Sequence, residues 1–178
     1  TLRRSSAASD VYKRQTYEIA KQQKNKNFNA VKFGWENFGI NIKNDEEHLI
    51  AARDALGKDI NLMIDVGAVW GTDVDEANKR SKILKEANII WLEEPFFSDA
   101  FFEYNQLGKI SNLPLAGGES CHSVDSAKNM IRYGNVNFIQ IDAGIAGGIL
   151  AGKEIFDFAE KNDVQYVNHT FTSCLLYT

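Results

Sequence analysis

The sequence predicts an α/β fold in which a parallel sheet covered by helices curls in the manner of a (β/α)8 barrel. Three observations predict it. Six short apolar segments alternate with helix-forming segments along the 178 residues. The apolar segments are nearly continuous in hydrophobicity, as strands buried on both faces are. Successive strands end in acidic residues, which a barrel gathers at one mouth. An open doubly wound sheet also satisfies the alternation. However, no Gly-x-Gly-x-x-Gly follows the first strand, so the dinucleotide-binding form of that sheet lacks its fingerprint.

A Lys- and Gln-rich helical stretch from about Thr16 leads into a first strand at residues 29–33. A helix at 45–56 is closed by Gly57, and an apolar strand at 60–64 ends in Asp65. Thr72 or Asp73 is placed to cap a helix running to Ala87, before a strand at 89–92 that ends in Glu93-Glu94-Pro95. Residues 100–110 read as helix, and 114–116 as a strand ending in Gly117-Gly118-Glu119. Ser123 is placed to cap a helix to Tyr133, and a strand at 137–141 ends in Asp142. Gly147-Gly148 opens a helix to Lys161, and a last strand at 164–168 ends in His169.

Composition narrows the function classes. The formal net charge of −4 gives no electrostatic case for nucleic acid or an anionic membrane. No apolar run approaches the roughly 18 residues of a membrane span. The two cysteines, Cys121 and Cys174, do not make a disulfide framework, and a reducing cytoplasm is the expected location. Residues 5–15 resemble the translation of a transposase sequencing adapter, and Cys174-Leu-Leu-Tyr-Thr178 the translation of its opposite strand. Residues 1–15 and 174–178 are therefore expected to be adapter-derived, leaving 16–173 as an internal piece of a longer protein.

Asp65, Glu93, Glu119 and Asp142 close four successive strands, and His169 closes the next. Three carboxylates held close together repel and raise one another's pKa unless a cation neutralises them. An oxygen-only set of this kind suits Mg²⁺. Asp142 beside His169 is the arrangement that orients an imidazole and stabilises its charged form, as a general base requires. His48 and His122 lie away from strand ends and are read as structural or surface residues.

The segments Leu62-Met-Ile-Asp65, Trp91-Leu-Glu-Glu-Pro95, Pro114-Leu-Ala-Gly-Gly-Glu119, Gln140-Ile-Asp142 with Ala146-Gly-Gly148, and Asn168-His-Thr-Phe171 closely resemble the enolase superfamily. Within it they resemble the mandelate racemase-like subgroup. The muconate-lactonising subgroup would instead show lysine where this chain has Asp142. The resemblance implies a partial (β/α)8 TIM-type barrel made of strands 2 to 7 with their intervening helices. The first and eighth strands and a separate capping domain would lie outside this chain. It also implies that Asp65, Glu93 and Glu119 hold Mg²⁺ and that Asp142 and His169 form a His–Asp dyad.

The activity implied is removal of a proton alpha to the carboxylate of a small-molecule substrate. A sugar-acid dehydratase is expected, with a 2-hydroxy acid racemase or epimerase as the alternative. A homo-oligomeric parent is expected, and the fragment itself is expected to be inactive and poorly folded. Two departures stand out. Many members end the second strand with two lysines spaced one apart. Here Lys32 keeps the first position, placed to contact substrate or tune the site, and Gly34 occupies the second. The frequent Asp-x-Asn of the third strand is Asp65-Val-Gly67.

Overall fold

A computed structural model describes residues 2–35 and 38–170. Phe171 and the adapter-like segment 174–178, with Cys174, lie outside the described residues. Helix α1 (Leu2–Asn25) precedes strand β1 (Ala30–Gly34), α2 (Ile42–Leu56) and β2 (Asn61–Asp65). Two short helices follow, α3 (Val74–Asn78) and α4 (Ser81–Glu86), then β3 (Ile89–Glu93), α5 (Phe101–Ser111) and β4 (Leu115–Gly117). The chain continues through α6 (Val124–Tyr133), β5 (Phe138–Asp142), α7 (Ala143–Ala146), α8 (Ile149–Glu160) and β6 (Gln165–His169).

The six strands form one sheet in sequence order, every pair parallel. The sheet curls into a half-barrel, the partial TIM-type barrel that the sequence predicts. All six expected strands are present within one residue or so of their predicted ends, as element boundaries normally are.

Three helix predictions need correction. Helix α1 starts well before Thr16, at Leu2. Helix α2 starts at Ile42 because the Asn41 side chain accepts the N–H groups of Lys43 and Asn44. The segment expected as one helix to Ala87 is two. Asp73 caps the first as expected, accepting the N–H of Glu76. At Arg80 the backbone N–H bonds back to Ala77, three residues rather than four, and the axis breaks there.

One apolar core underlies the whole sheet. Strand residues Leu62, Ile64, Leu92, Leu115, Ile139 and Ile141 and helix residues Leu49, Leu84, Leu107, Met130 and Ile155 are all at most 2% exposed. Each such side chain contributes about 1.5–3 kcal/mol by leaving water. Because side chains alternate along a strand, fixing these residues toward the helices turns Lys32, Asp65, Glu93, Asp142 and His169 to the opposite face. The site is thus a consequence of the core pattern.

Candidate active site

Register assembles the site. Gly34 pairs with Asp65, Asp65 with Glu93, and Asp142 with His169, so the strand ends are level within each of these pairs. Glu93 is in register with Ala116 and Ala116 with Phe138, so Asp142 and His169 stand further along the strands than Asp65 and Glu93. Glu119 follows two residues after β4, on the loop that enters α6.

The Lys32 ammonium bridges two of the acids. Its Nζ lies 2.9 Å from Asp65 Oδ2 and 2.5 Å from Glu93 Oε1. Burial works against the charged form, but the hydrogen bonds and charges of Glu93 and Asp65 outweigh it and hold the Lys32 pKa above the usual lysine range. Lys32 is therefore a fixed cation in this arrangement. Glu93 is fully buried, and its second oxygen accepts the Trp91 indole N–H at 2.8 Å. Asp65 Oδ1 accepts the Gly67 N–H at 3.1 Å.

Glu119 and His169 form the other half. His169 Nε2 lies 3.1 Å from Glu119 Oε2, and Nδ1 lies 3.6 Å from Asp142 Oδ2. The latter distance is too long for a hydrogen bond, and Nδ1 is a buried atom with no hydrogen-bond partner. A shift of a few tenths of an ångström closes that gap, and apo sites commonly tighten in this way on binding substrate. Burial raises the Glu119 pKa; His169 and Lys32 lower it, while Asp65 and Glu93 raise it further. All six expected residues thus lie in one electrostatic neighbourhood. His48 lies half-buried with its ring 6.2 Å from that of Tyr12, and His122 is exposed. Neither enters the site.

The donor set fits a hard divalent cation. The charges of Asp65 and Glu93 raise the proton affinity of Glu119, and a positive group already bridges Asp65 and Glu93. Among the described residues, no three Asp, Glu, His or Cys side chains converge on a single ligating centre. Lys32 stands between Asp65 and Glu93, and Glu119 is turned toward His169, so an ion held by all three acids would replace the ammonium.

Both departures noted in the sequence have a steric cause. Gly34 has a φ of +123°, and a Cβ there would fall 1.9 Å from the Asp65 carbonyl oxygen. The next residue, Trp35, donates its N–H to the same oxygen at 2.6 Å. The chain leaving β1 therefore crosses directly over the end of β2, and no side chain fits at position 34. Gly67, at φ +53°, lies under the Trp35 ring, which is 3.3 Å from where its Cβ would be. The indole fills space that a residue with a side chain at 67 would need.

Several residues of the site escaped the sequence reading. Trp91 and Gln140 stand two residues before Glu93 and Asp142, so strand alternation alone places them on the same face. The Gln140 Oε1 is buried without a hydrogen-bond partner. Glu94 is 5% exposed, and its Oε1 accepts the Gly118 N–H at 2.8 Å. Burial pushes its pKa up to about 7, against the pull of that hydrogen bond and with added push from Glu119, Glu93 and Asp65.

A family model described as Enolase C-terminal domain-like matches residues 15–177. The chain belongs to that family. Its structural neighbours are mandelate racemase-like members of the enolase superfamily. A predicted mandelate racemase from Rhodobacter sphaeroides superposes with a TM-score of 0.86 at 41% identity, over 92% of this chain and 42% of that one. The L-talarate/galactarate dehydratase of Salmonella typhimurium is 31% identical over 129 residues, covering 72% of this chain and 32% of the relative. A variant of L-talarate/galactarate dehydratase liganded with Mg and L-glucarate superposes with a TM-score of 0.80 at 26% identity, over 90% of this chain and 40% of that one. This enolase-type chain therefore spans about a third of the length of the curated relatives it matches.

Proposed function

We propose that this chain is the catalytic barrel segment of a longer Mg²⁺-dependent lyase that dehydrates a sugar acid. The observation that carries the reading is the placement of His169. Its Nε2 faces the carboxylate cluster at Glu119, and its Nδ1 faces Asp142. Asp65, Glu93 and Glu119 would hold the metal. Mg²⁺ supplies a positive charge that binds the substrate carboxylate and acidifies the adjacent C–H.

His169 Nε2 takes the proton from the carbon alpha to that carboxylate. Asp142 orients the ring through Nδ1 and stabilises the imidazolium. The imidazolium then returns a proton to the beta-hydroxyl as the C–O bond breaks and water leaves. The enol that remains tautomerises to a 2-keto-3-deoxy acid. One acid–base residue suffices for this sequence, whereas inversion at the alpha carbon needs a group on each face. Position 34 has no room for the lysine that would serve as a second base, which favours dehydration. The dehydratase activity named for the Salmonella relative supports the same reading.

The alternative is a racemase or epimerase with Lys32 as the second base. It rests on the Lys32 Nζ lying within the same carboxylate cluster. The test is incubation of the longer protein with aldonates, aldarates and Mg²⁺. Formation of a 2-keto-3-deoxy acid, abolished by His169→Asn, supports dehydration. Formation of an epimer alone defeats it, and no turnover of any substrate supports a catalytically inactive homologue.

A further inference from the structure

Glu94 reaches the loops that carry all three carboxylates. Its carbonyl oxygen accepts the Ala68 N–H at 2.6 Å, three residues beyond Asp65. Its own N–H donates to the Ala116 carbonyl at 3.0 Å, in the middle of β4. Its carboxylate accepts the N–H of Gly118, the residue before Glu119, at 2.8 Å. Glu93 precedes it directly in the chain. To make these bonds Glu94 adopts a φ of +44°, a left-handed conformation that a side chain disfavours by about 1–2 kcal/mol.

The partner loop is built for the contact. Gly118 has a φ of +110°, and a Cβ there would fall 2.6 Å from Ile139 Cδ1. A Cβ at Gly117 would stand 3.0 Å from the Tyr104 hydroxyl. The Gly117-Gly118 backbone is thus held against the buried Tyr104 and Ile139, which leaves the Gly118 N–H aimed at Glu94. The buried Glu94 carboxylate is spent on one backbone amide, that of Gly118. Its effect is to set the spacing between Asp65, Glu93 and Glu119.

We propose that Glu94 is a positioning residue for the metal site, tying the loops after β2 and β4 to the end of β3 and so fixing where Glu119 stands relative to Asp65 and Glu93. The proposal rests on the reading of those three residues as Mg²⁺ ligands. Residues outside the ligand shell that orient ligands typically change metal affinity by about 10–100-fold when replaced.

The test compares the longer protein that contains this chain with its Glu94→Gln and Glu94→Gly variants. Glutamine keeps an acceptor oxygen for Gly118. Glycine suits the left-handed backbone and removes only the side chain, so the variant is not lost to backbone strain. Two readouts are taken: amide hydrogen exchange at Gly118, and Mn²⁺ affinity by electron paramagnetic resonance. Glu94→Gly is expected to expose the Gly118 amide to exchange and weaken Mn²⁺ binding by about tenfold or more. Glu94→Gln is expected to keep both near the wild-type level. Unchanged Gly118 protection or unchanged affinity in Glu94→Gly overturns the role of Glu94. Equal weakening by both variants also overturns it, since the negative charge alone would then be responsible. A wild-type longer protein that binds no Mn²⁺ overturns the metal reading of the site as well, a result distinct from the others.

Discussion

Gly34 and Gly67 flank Asp65 in space, and each is glycine for its own steric reason. At position 34 the obstacle is the Asp65 backbone, which cannot move without unpairing β1 from β2. Gly34→Ala is therefore expected to lower stability by more than the roughly 1–3 kcal/mol of left-handed strain alone, read from the urea midpoint. An unchanged midpoint would contradict the crossing geometry. At position 67 the obstacle is the Trp35 ring, which is 53% exposed and free to be removed. Asparagine tolerates a left-handed φ, so the contact with Trp35 is the main bar to Gly67→Asn. Gly67→Asn and Trp35→Ala should then be non-additive by at least about 0.5 kcal/mol, the double variant being more stable than the sum predicts. Additivity would show that Trp35 is not what bars a side chain at position 67. In sequence these glycines read only as missing polar groups. Their cause was hidden because it lies in a chain crossing, which no pattern within either strand encodes.

Helices α2, α3 and α4 are joined through one buried ion pair. Arg80 Nε lies 2.6 Å from Asp45 Oδ2, with both side chains at most 1% exposed. The guanidinium also donates to the Gly39 carbonyl at 2.8 Å and the Glu76 carbonyl at 2.8 Å, and lies 5.2 Å from the centroid of the Trp70 ring. With a further bond to Glu76 Oε1 at 2.7 Å, four hydrogen bonds and a π face compensate the buried charge, which is what makes it tolerable. Arg80→Met strands the Asp45 carboxylate and is expected to cost about 3–5 kcal/mol. Lys153→Ala breaks the exposed Lys153–Asp157 pair in α8 and is expected to cost under about 0.5 kcal/mol. Chemical denaturation of the two variants separates these values, and a similar cost for both would contradict the account. The same group explains why α3 and α4 were not separable in sequence. Residues 74–86 carry a continuous helical pattern, and the interruption at Arg80 serves contacts with Gly39 and Asp45, over thirty positions away. Strands were legible because their apolar runs are local and short. The caps at Asp73 and Ser123 were legible for the same reason.

At the scale of the whole molecule, the half-barrel has two edges, β1 and β6, each paired on one side among the described residues. Beside β6, Ile149 and Leu150 of α8 are 82% and 85% exposed. Open edges and exposed apolar side chains promote association. The isolated chain is expected to self-associate with rising concentration, and Ile149→Glu with Leu150→Lys to reduce it, as measured by sedimentation velocity. A chain that stays monomeric at all concentrations would contradict this. The site was the more legible part of the molecule. Asp65, Glu93, Glu119, Asp142 and His169 stand at or just after strand ends, and the parallel topology converts that local fact into a shared edge. The burial of Glu94 was not legible, since a second glutamate beside a candidate ligand looks like surface charge until the turn that buries it is seen. The central claim is that Asp65, Glu93 and Glu119 together hold one Mg²⁺. Calorimetric titration of the purified longer protein with MgCl₂ tests it most directly, alongside the Asp65→Asn, Glu93→Gln, Glu119→Gln triple variant. The account predicts saturable binding of one ion per chain that the triple variant loses. Absence of binding, or equal binding by the triple variant, would contradict it.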